Sequence, residues 1–450
     1  MHERPPRERI QDFEEVDPGL SQEEAVAEAM RCLQCKKPSC VAGCPVSVAV
    51  PSFVSAVASW DFAGAAAIIK EENMLPAICG RVCPQESQCE GACILGVKDL
   101  PVKVGALERF AADWERVQGF VPPARSQPTG CRVAVVGSGP AGLCGAAELA
   151  RRGHTVILYE SLHAPGGVLL YGIPSFRLPK EIVQAEVAQI EALGVEIRTN
   201  HLVGRSVTLE DLFAFDAVLL ATGAGLPYFI GIPGEQLAGV YSANEFLTRV
   251  NLMRADRFPA YDTPIRRGSR VVVAGGGNVA MDAARVAVRL GASVTLVYRR
   301  NEEDLPARRA EVVRAKEEGV NFEFCAAPVR ILGESEVTGV TCVRMVVCAQ
   351  DGNMRPVPSP VEGSSFTLDA DLFIGAIGQG PNPLLIREIP GIARGEVGNV
   401  EVDPDGRTSV SRLFAAGDVA TGAATVILAM GGAKKAALAI DQMLIRSGSV

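Results

Sequence analysis

Arg132-Val-Ala-Val-Val-Gly137-Ser-Gly139-Pro-Ala-Gly142 is the stretch whose reading decides the fold. A short β-branched run ends at Gly137, and glycines spaced G-x-G-x-x-G then lead into an Ala-rich helical pattern. Strand, tight turn and helix in that order let an anionic group approach backbone N–H groups at a helix N-terminus. Thr155-Val-Ile-Leu-Tyr159 predicts the next strand, and Glu160 at its end is positioned to accept hydrogen bonds from a ribose diol. A lone G-x-G-x-x-G is often only a turn; with a second strand and an acid it predicts a dinucleotide site.

The same phrase returns as Arg270-Val-Val-Val-Ala-Gly275, continuing Gly276-Gly277-Asn278-Val279-Ala280 in the G-x-G-x-x-A form. Each half closes on a buried-looking strand that starts at Asp and ends at Gly, Asp216 to Gly223 and Asp371 to Gly378. Alternating strands and helices with a repeated fingerprint predict an α/β chain of two tandem Rossmann-like domains. The last piece, 413 to about 445, reads as a return to the first unit, which makes that unit discontinuous. Ahead of both lies a head of helices and loops, with a capping box at Ser21-Gln-Glu-Glu24 and helical patterns over 61–72 and 102–117. A Pro-rich linker, 122–130, comes after it. The expected division is a helical domain over 1–125, the first dinucleotide unit over 126–245 and 376–450, and the second inserted over 246–375.

Two features mark the first unit for FAD: Gly166-Gly167 soon after the ribose acid, and the distant Leu413-Phe-Ala-Ala-Gly417-Asp418. Asp418 is positioned to bond ribityl hydroxyls, and a helix beginning near Ala424-Thr425-Val426 aims N–H groups at the flavin ring. The FAD residues read this way are Gly137, Gly139, Pro140, Ala141, Gly142, Glu160, Gly167, Gly417, Asp418, Ala424, Thr425 and Val426. In the second unit, with Gly275, Gly277, Asn278 and Val279, the strand Ser293-Val-Thr-Leu-Val-Tyr298 ends in Arg299-Arg300 where the first unit has Glu160. An arginine pair there holds a 2′-phosphate that an acid would repel, so NADP is expected over NAD. Arg308 and Arg309 either add to the phosphate pocket or face water.

Eight of the thirteen cysteines fall between Cys32 and Cys93, as Cys32-x2-Cys35-x4-Cys40-x3-Cys44-Pro and Cys79-x3-Cys83-Pro, then Cys89-x3-Cys93. Cys-Pro closing a cysteine series is the bacterial ferredoxin pattern, and only Cys32/Cys35 has the C-x2-C spacing of a zinc knuckle. Iron-sulfur clusters are therefore expected rather than zinc, and spacing alone would use all eight thiols. Cys131, Cys144, Cys325, Cys342 and Cys348 lie on predicted strands or helices and read as core residues. None pairs with another beside the first fingerprint, which disfavours a disulfide reductase. His2, His154, His163 and His201 are scattered, and no protein acid or base is needed for hydride transfer.

Composition agrees: 48% hydrophobic residues suit a globular chain with real cores, and a net charge of −8 with scattered basic pairs makes nucleic acid an unexpected partner. The N-terminus has no apolar core of a leader, and the longest apolar stretch is too short to span a bilayer. A cytoplasmic location is expected.

Leu75-Pro-Ala-Ile-Cys-Gly-Arg-Val-Cys-Pro-Gln-Glu86, Gly166-Gly-Val-Leu-Leu-Tyr-Gly-Ile-Pro-Ser-Phe-Arg-Leu-Pro-Lys180 and Ala416-Gly-Asp-Val-Ala-Thr-Gly-Ala-Ala-Thr-Val-Ile427 carry a more specific signal than the glycine fingerprints. Over nearly its whole length the chain resembles the glutamate synthase small-subunit family, which includes the large subunit of NADH-dependent ferredoxin:NADP oxidoreductase and the N-terminal part of dihydropyrimidine dehydrogenase. The resemblance implies two [4Fe-4S] clusters, one on Cys32, Cys35, Cys40 and Cys93, the other on Cys44, Cys83, Cys89 and Glu108, with Cys79 a bystander. It further implies Val168 and Arg177 against FAD, and Ala376, Ile377 and Gly378 against NADP. As function it implies electron transfer in a hetero-oligomer. Either the chain bifurcates electrons with ferredoxin and a smaller flavoprotein diaphorase, or it delivers NADPH electrons to a glutamate synthase large subunit.

Overall fold

Arg132–Val136 forms a strand whose last four residues are buried, as a β-branched run covered on both faces requires. In the computed structural model, which describes residues 3–265, 268–348 and 357–447, it pairs in parallel with Thr155–Tyr159 on one side and Ala217–Leu220 on the other. Beyond Thr155–Tyr159 lies Glu196–Arg198, and beyond Ala217–Leu220 lies Leu413–Ala415. The edge strand thus comes from beyond the second unit, with Leu413 opposite Val218, and the first domain is discontinuous. His2 lies outside the described residues.

The second sheet repeats the plan in the order Val240–Ser242, Leu372–Gly375, Arg270–Ala274, Ser293–Tyr298 and Asn321–Phe324. Val240–Ser242 lies ahead of 246, where the second unit was expected to start, and pairs in parallel with Leu372–Gly375. A three-residue edge strand offers no periodicity to read. The chain crosses between the units twice, and the crossings at Leu226–Pro227 and Gln379–Gly380 pair with each other. Four antiparallel strands, Ala326–Leu332, Gly339–Cys348, Val357–Pro360 and Phe366–Asp369, were not foreseen; they pack a separate small core against the second sheet.

The head is helical, as expected: Gln22–Ala29, Val50–Ala58, Phe62–Glu72, Pro76–Val82 and Val104–Gln118 are its main elements. The capping box at Ser21 forms, with the Glu24 amide donating to Ser21 Oγ at 3.2 Å and the Ser21 amide to Glu24 Oε2 at 2.8 Å. Apolar residues of the head and of the first unit share one buried cluster, so the two are packed together rather than strung on a linker. Among the described residues no helix is long and apolar enough to cross a membrane.

A buried ion network ties the second unit to the rest. Helix Asn278–Arg289 carries Asp282, Arg285 and Arg289 on its inner face. Asp282 accepts hydrogen bonds from Arg177 on both carboxylate oxygens, at 2.8 and 2.6 Å, and Arg177 also lies 3.4 Å from Glu311. Glu318 receives Arg285 and Arg289, and from the N-terminal segment Arg9 at 2.7 Å. That segment also places Val16 N 3.0 Å from the carbonyl of Phe176, whose ring lies under the guanidinium groups of Arg285 and Arg289.

Breaking one partner of such a pair strands a buried charge. Arg177→Met is expected to lower the unfolding free energy by about 3–5 kcal/mol, and Arg177→Met/Asp282→Leu by clearly less; a double variant as unstable as the single one, in urea titrations, refutes the pairing. Burial alone pushes Glu318 up, but hydrogen bonds from Arg285 and Arg289 outweigh it and hold the carboxyl down at about 2. A depressed carboxylate stabilises the fold above its unfolded value and loses that contribution as pH falls toward the folded one. Stability should therefore drop between about pH 4.5 and 2, with a smaller drop in Glu318→Gln, measured as denaturation midpoint against pH.

Candidate functional site

The first fingerprint builds a cradle. Gly137 turns with φ +101°, and a Cβ there or on Gly142 would collide with the carbonyl of Ala221 or of Gly137. Gly139 instead faces open space, with nothing within 4 Å of an added Cβ. It precedes helix Pro140–Arg151, whose N-terminus has no side-chain cap, so the first-turn N–H groups of Ala141 and Gly142, after the donor-less Pro140, are left to a ligand's phosphate. Glu160 is held beside it by the amides of Ser138 at 3.0 Å and Leu162 at 2.8 Å, and by the Ser138 hydroxyl. Ser138 also accepts from the Gly166 amide at 2.9 Å, coupling the ribose acid to the Gly166-Gly167 turn. Sequence reasoning passed over Ser138, although it stands inside the fingerprint.

Gly167, at φ +54°, packs so closely that a Cβ would lie 2.8 Å from Gly139 Cα. Val168 comes next as the first residue of helix Val168–Tyr171. From the distant return segment, Gly417 lies against Ala141, and Asp418 accepts from the Ala424 amide at 3.1 Å while burial pushes its carboxyl up. Thr425 Oγ1 accepts from the Leu428 amide at 3.3 Å and so caps the helix beginning at Val426. Glycine turn, acid, Val168 and Asp418 thus meet at the carboxyl end of one sheet. Arg177 does not join them. Its guanidinium pairs with Asp282 at 2.6 Å and lies 3.4 Å from Glu311, while the expected contact with FAD is a matter for the ligand-bound protein.

In the second unit Gly277 is the residue facing open space, while the turn at Gly275 abuts the carbonyl of Ala376. Ile377 and Gly378 are exposed beside it, as is Val279. Arg299 is exposed and Arg300 buried, with an Nε that has no hydrogen-bond partner, an unspent donor fitting a phosphate ligand. Arg308 donates to the carbonyl of Arg81 at 3.0 Å and to Gln85 Oε1 at 2.8 Å, clipping the second unit to the head. Asn278 is engaged through its Oδ1, which accepts from the Arg308 amide at 2.9 Å.

The head cysteines described are all free thiols, gathered in two groups. Cys32, Cys35, Cys40 and Cys93 line one small recess with Leu33, Ile94 and Leu95. Burial pushes the thiols of Cys44 and Cys89 up, and the nearby charges of Cys83 and Glu108 push both the same way; Cys79, whose thiol is raised by a hydrogen bond with Cys83 and by Glu108, belongs to the same neighbourhood. Glu108, on helix Val104–Gln118, is buried; desolvation raises its carboxyl to about 7 against a 2.7 Å hydrogen bond from Asn73. Cys79 is buried, 3.7 Å from Asn73 Oδ1 and 3.6 Å from Met430 Sδ. Among the described residues no group of three or more His, Cys, Asp or Glu is disposed to hold a single metal ion. Of the remaining cysteines, Cys144 and Cys342 are buried; Cys131 and Cys325 are only half-buried, Cys325 with φ +50° and its thiol 3.0 Å from Asn301 Oδ1. Asn73 gave no signal in the sequence: nothing in its neighbourhood marks it as the partner of a residue on another helix.

Residues 9–120 match the family model described as dihydropyrimidine dehydrogenase domain II, 4Fe-4S cluster, and residues 131–442 that of pyridine nucleotide-disulphide oxidoreductase. The chain is an α/β pyridine nucleotide oxidoreductase joined to an iron-sulfur head. It is 38% identical over 443 residues, 96% of this chain and 92% of the relative, to the glutamate synthase [NADPH] small chain of Azospirillum brasilense. It is 38% identical over 434 residues, 90% of this chain and 60% of the relative, to the NADP(+)-dependent formate dehydrogenase subunit beta of Moorella thermoacetica. The chain belongs to the glutamate synthase small-subunit family. Among solved structures, Mycobacterium tuberculosis FprA in complex with NADPH has a TM-score of 0.59 at 22% identity, covering 72% of this chain and 86% of that one, and shares the fold.

The position of Glu108 and Cys79 gives a direct test of the second ligand set. If Glu108 rather than Cys79 completes a second ligand set, Glu108→Ala changes the electron paramagnetic resonance of the reduced protein and lowers bound iron, while Cys79→Ala leaves both unchanged; the reverse pattern returns the ligand role to Cys79.

Proposed function

We propose that this chain binds FAD on the first unit, NADP(H) on the second and two [4Fe-4S] clusters in the head, and carries electrons between NADPH and a partner protein. When bound, the flavin exchanges hydride with the nicotinamide and single electrons with the clusters. The residues hold and orient: Glu160 and Asp418 receive hydroxyl groups, the first turn of helix Pro140–Arg151 receives a pyrophosphate, and Arg299 and Arg300 receive a 2′-phosphate. One observation carries the reading. The helix that starts at Val426, beside Asp418, reaches the head within its first two turns: Met430 touches Cys79, and a Cβ on Gly431 would lie 2.7 Å from the carbonyl of Pro45, next to Cys44.

Two destinations are compatible with that path. The relative named glutamate synthase [NADPH] small chain supports delivery to a glutamate-forming large subunit. The resemblance of the head to the ferredoxin:NADP oxidoreductase large subunit supports ferredoxin and a smaller diaphorase as partners, with the electrons bifurcated. The mass of the chain that co-purifies from the native source separates the two.

The 2′-phosphate assignment makes a prediction of its own. Arg299→Ala/Arg300→Ala should raise KM for NADPH about 10- to 100-fold, the loss of one or two charge-assisted hydrogen bonds, and leave KM for NADH nearly unchanged. An equal rise for both nucleotides in flavin-reduction kinetics refutes it.

A further inference from the structure

The recess lined by Cys32, Cys35, Cys40 and Cys93 lies beside several exposed apolar side chains of the head. Val97 is 81% exposed and Met30 72%, and Leu33, Ile94 and Leu100 are also exposed. These residues sit on two neighbouring segments. Arg31 donates to the carbonyl of Leu100 at 2.5 Å and of Pro101 at 3.3 Å, and Leu33 and Ile94 both line the cysteine recess. Five large apolar side chains turned to water on these two segments, two of them lining the recess, are what an interaction site presents.

Charge on the same two segments has the opposite sign to the whole. Residues 30–38 and 94–100 carry Arg31, Lys36, Lys37 and Lys98 against the single acid Asp99, in a chain of net charge −8. Asp99 lies 3.5 Å from Arg31, and all three lysines are exposed. Such a face attracts an acidic surface and holds off a second copy of itself, because a two-fold contact would set its lysines against each other.

We propose that this face docks an electron-transfer protein whose contact surface is apolar at the centre and acidic at the rim. The inference rests on reading the four thiols as a redox cluster, and it assigns the outward end of the electron path to Leu33, Ile94 and Val97. The four cysteines are only half-buried, so a protein seated on these side chains comes close to whatever they hold. Lys36, Lys37 and Lys98 contribute mainly to encounter rate, and the apolar centre to the lifetime of the complex.

The test uses the holoenzyme with NADPH as donor and three acceptors: menadione, which is small and neutral, an acidic ferredoxin, and a basic c-type cytochrome. The wild type is expected to prefer the ferredoxin, with kcat/KM falling as salt rises. Lys36→Gln/Lys37→Gln/Lys98→Gln should lower ferredoxin kcat/KM about tenfold and the corresponding triple Glu variant further, with the cytochrome preferred in the latter, since steering changes rates by factors of this order. Val97→Asp should lower it at all salt concentrations. Menadione reduction and iron content stay unchanged throughout. Reversed charges that leave the ferredoxin rate intact while menadione reduction persists overturn the docking site alone. A wild type that cannot reduce menadione overturns the function beneath it. A dimer in sedimentation that Val97→Asp dissociates overturns it in favour of a self-association face.

Discussion

The shortest link between the flavin-facing segment and the cysteine head depends on how closely helix Val426–Ser447 can lie against residues 44–46. Gly431 permits it, since any side chain there would meet the carbonyl of Pro45. Around that contact Met430 is fully buried, touching Cys79 with its sulfur while its carbonyl faces the thiol of Cys144 at 3.6 Å. One turn on, Lys434 donates to the carbonyls of Glu72 at 2.8 Å and Val46 at 3.4 Å. The same helix packs against Pro140–Arg151, the helix that rises from the first glycine fingerprint. Two backbone segments far apart in sequence are therefore fixed within a few ångströms of each other, with Ala424-Thr425-Val426 at one end of the contact and Cys44 at the other. Val426 and Met430 are four residues apart, about one helical turn of roughly 5.4 Å.

This coupling explains why the head is not a detachable module. Its apolar residues share a buried cluster with the first sheet, and Arg308 of the second unit is bonded to Arg81 and Gln85 within it. Gln85 completes the arrangement from the head's side, accepting from Arg308 and donating to the carbonyls of Cys79 at 3.3 Å and Gly80 at 3.1 Å. The Cys79-to-Cys83 turn is thereby braced by a residue of the second unit.

The parts of this architecture legible in the sequence are those set by local rules. A parallel strand buried on both faces is a continuous β-branched run, so Arg132–Val136 and Arg270–Ala274 announce themselves, and glycine spacing marks the turn and helix after each. The return of Leu413–Ala415 to the first sheet was legible because its phrase ends in Gly417-Asp418. Long-range pairing leaves no such trace. Arg177 stands in a stretch that reads as cofactor-facing, yet its partner Asp282 is 105 residues away, and Arg308 finds Gln85 across 223. Ser138 and Asn73 act through side chains whose partners lie on other elements, and polar residues of that kind have no period. The grouping of Cys93 with Cys32, Cys35 and Cys40 was likewise beyond spacing and came from family resemblance; the recess they line is where the fold brings them.

The ion network has a physical consequence beyond stability. Desolvation offsets most of the attraction in a buried pair, so a core of Leu and Met could hold these helices together at least as firmly. What apolar packing does not supply is a directional fit: Nη1 of Arg177 is shared between both carboxylate oxygens of Asp282, and charge-assisted hydrogen bonds of this kind fix position more closely than apolar contact does. Asp282 sits four residues into the helix that begins at Asn278, after Gly277, and Arg177 belongs to the segment that continues from Gly167 and Val168. The pair therefore ties the second fingerprint helix to the turn that shapes the first cradle. Reacting atoms must approach to within about 3–3.5 Å for transfer between two bound dinucleotides, and small misplacements cost large factors in rate. Arg9, reaching Glu318 from the N-terminal segment, closes the same network from outside the two units, so the register between them is set by three parts of the chain at once.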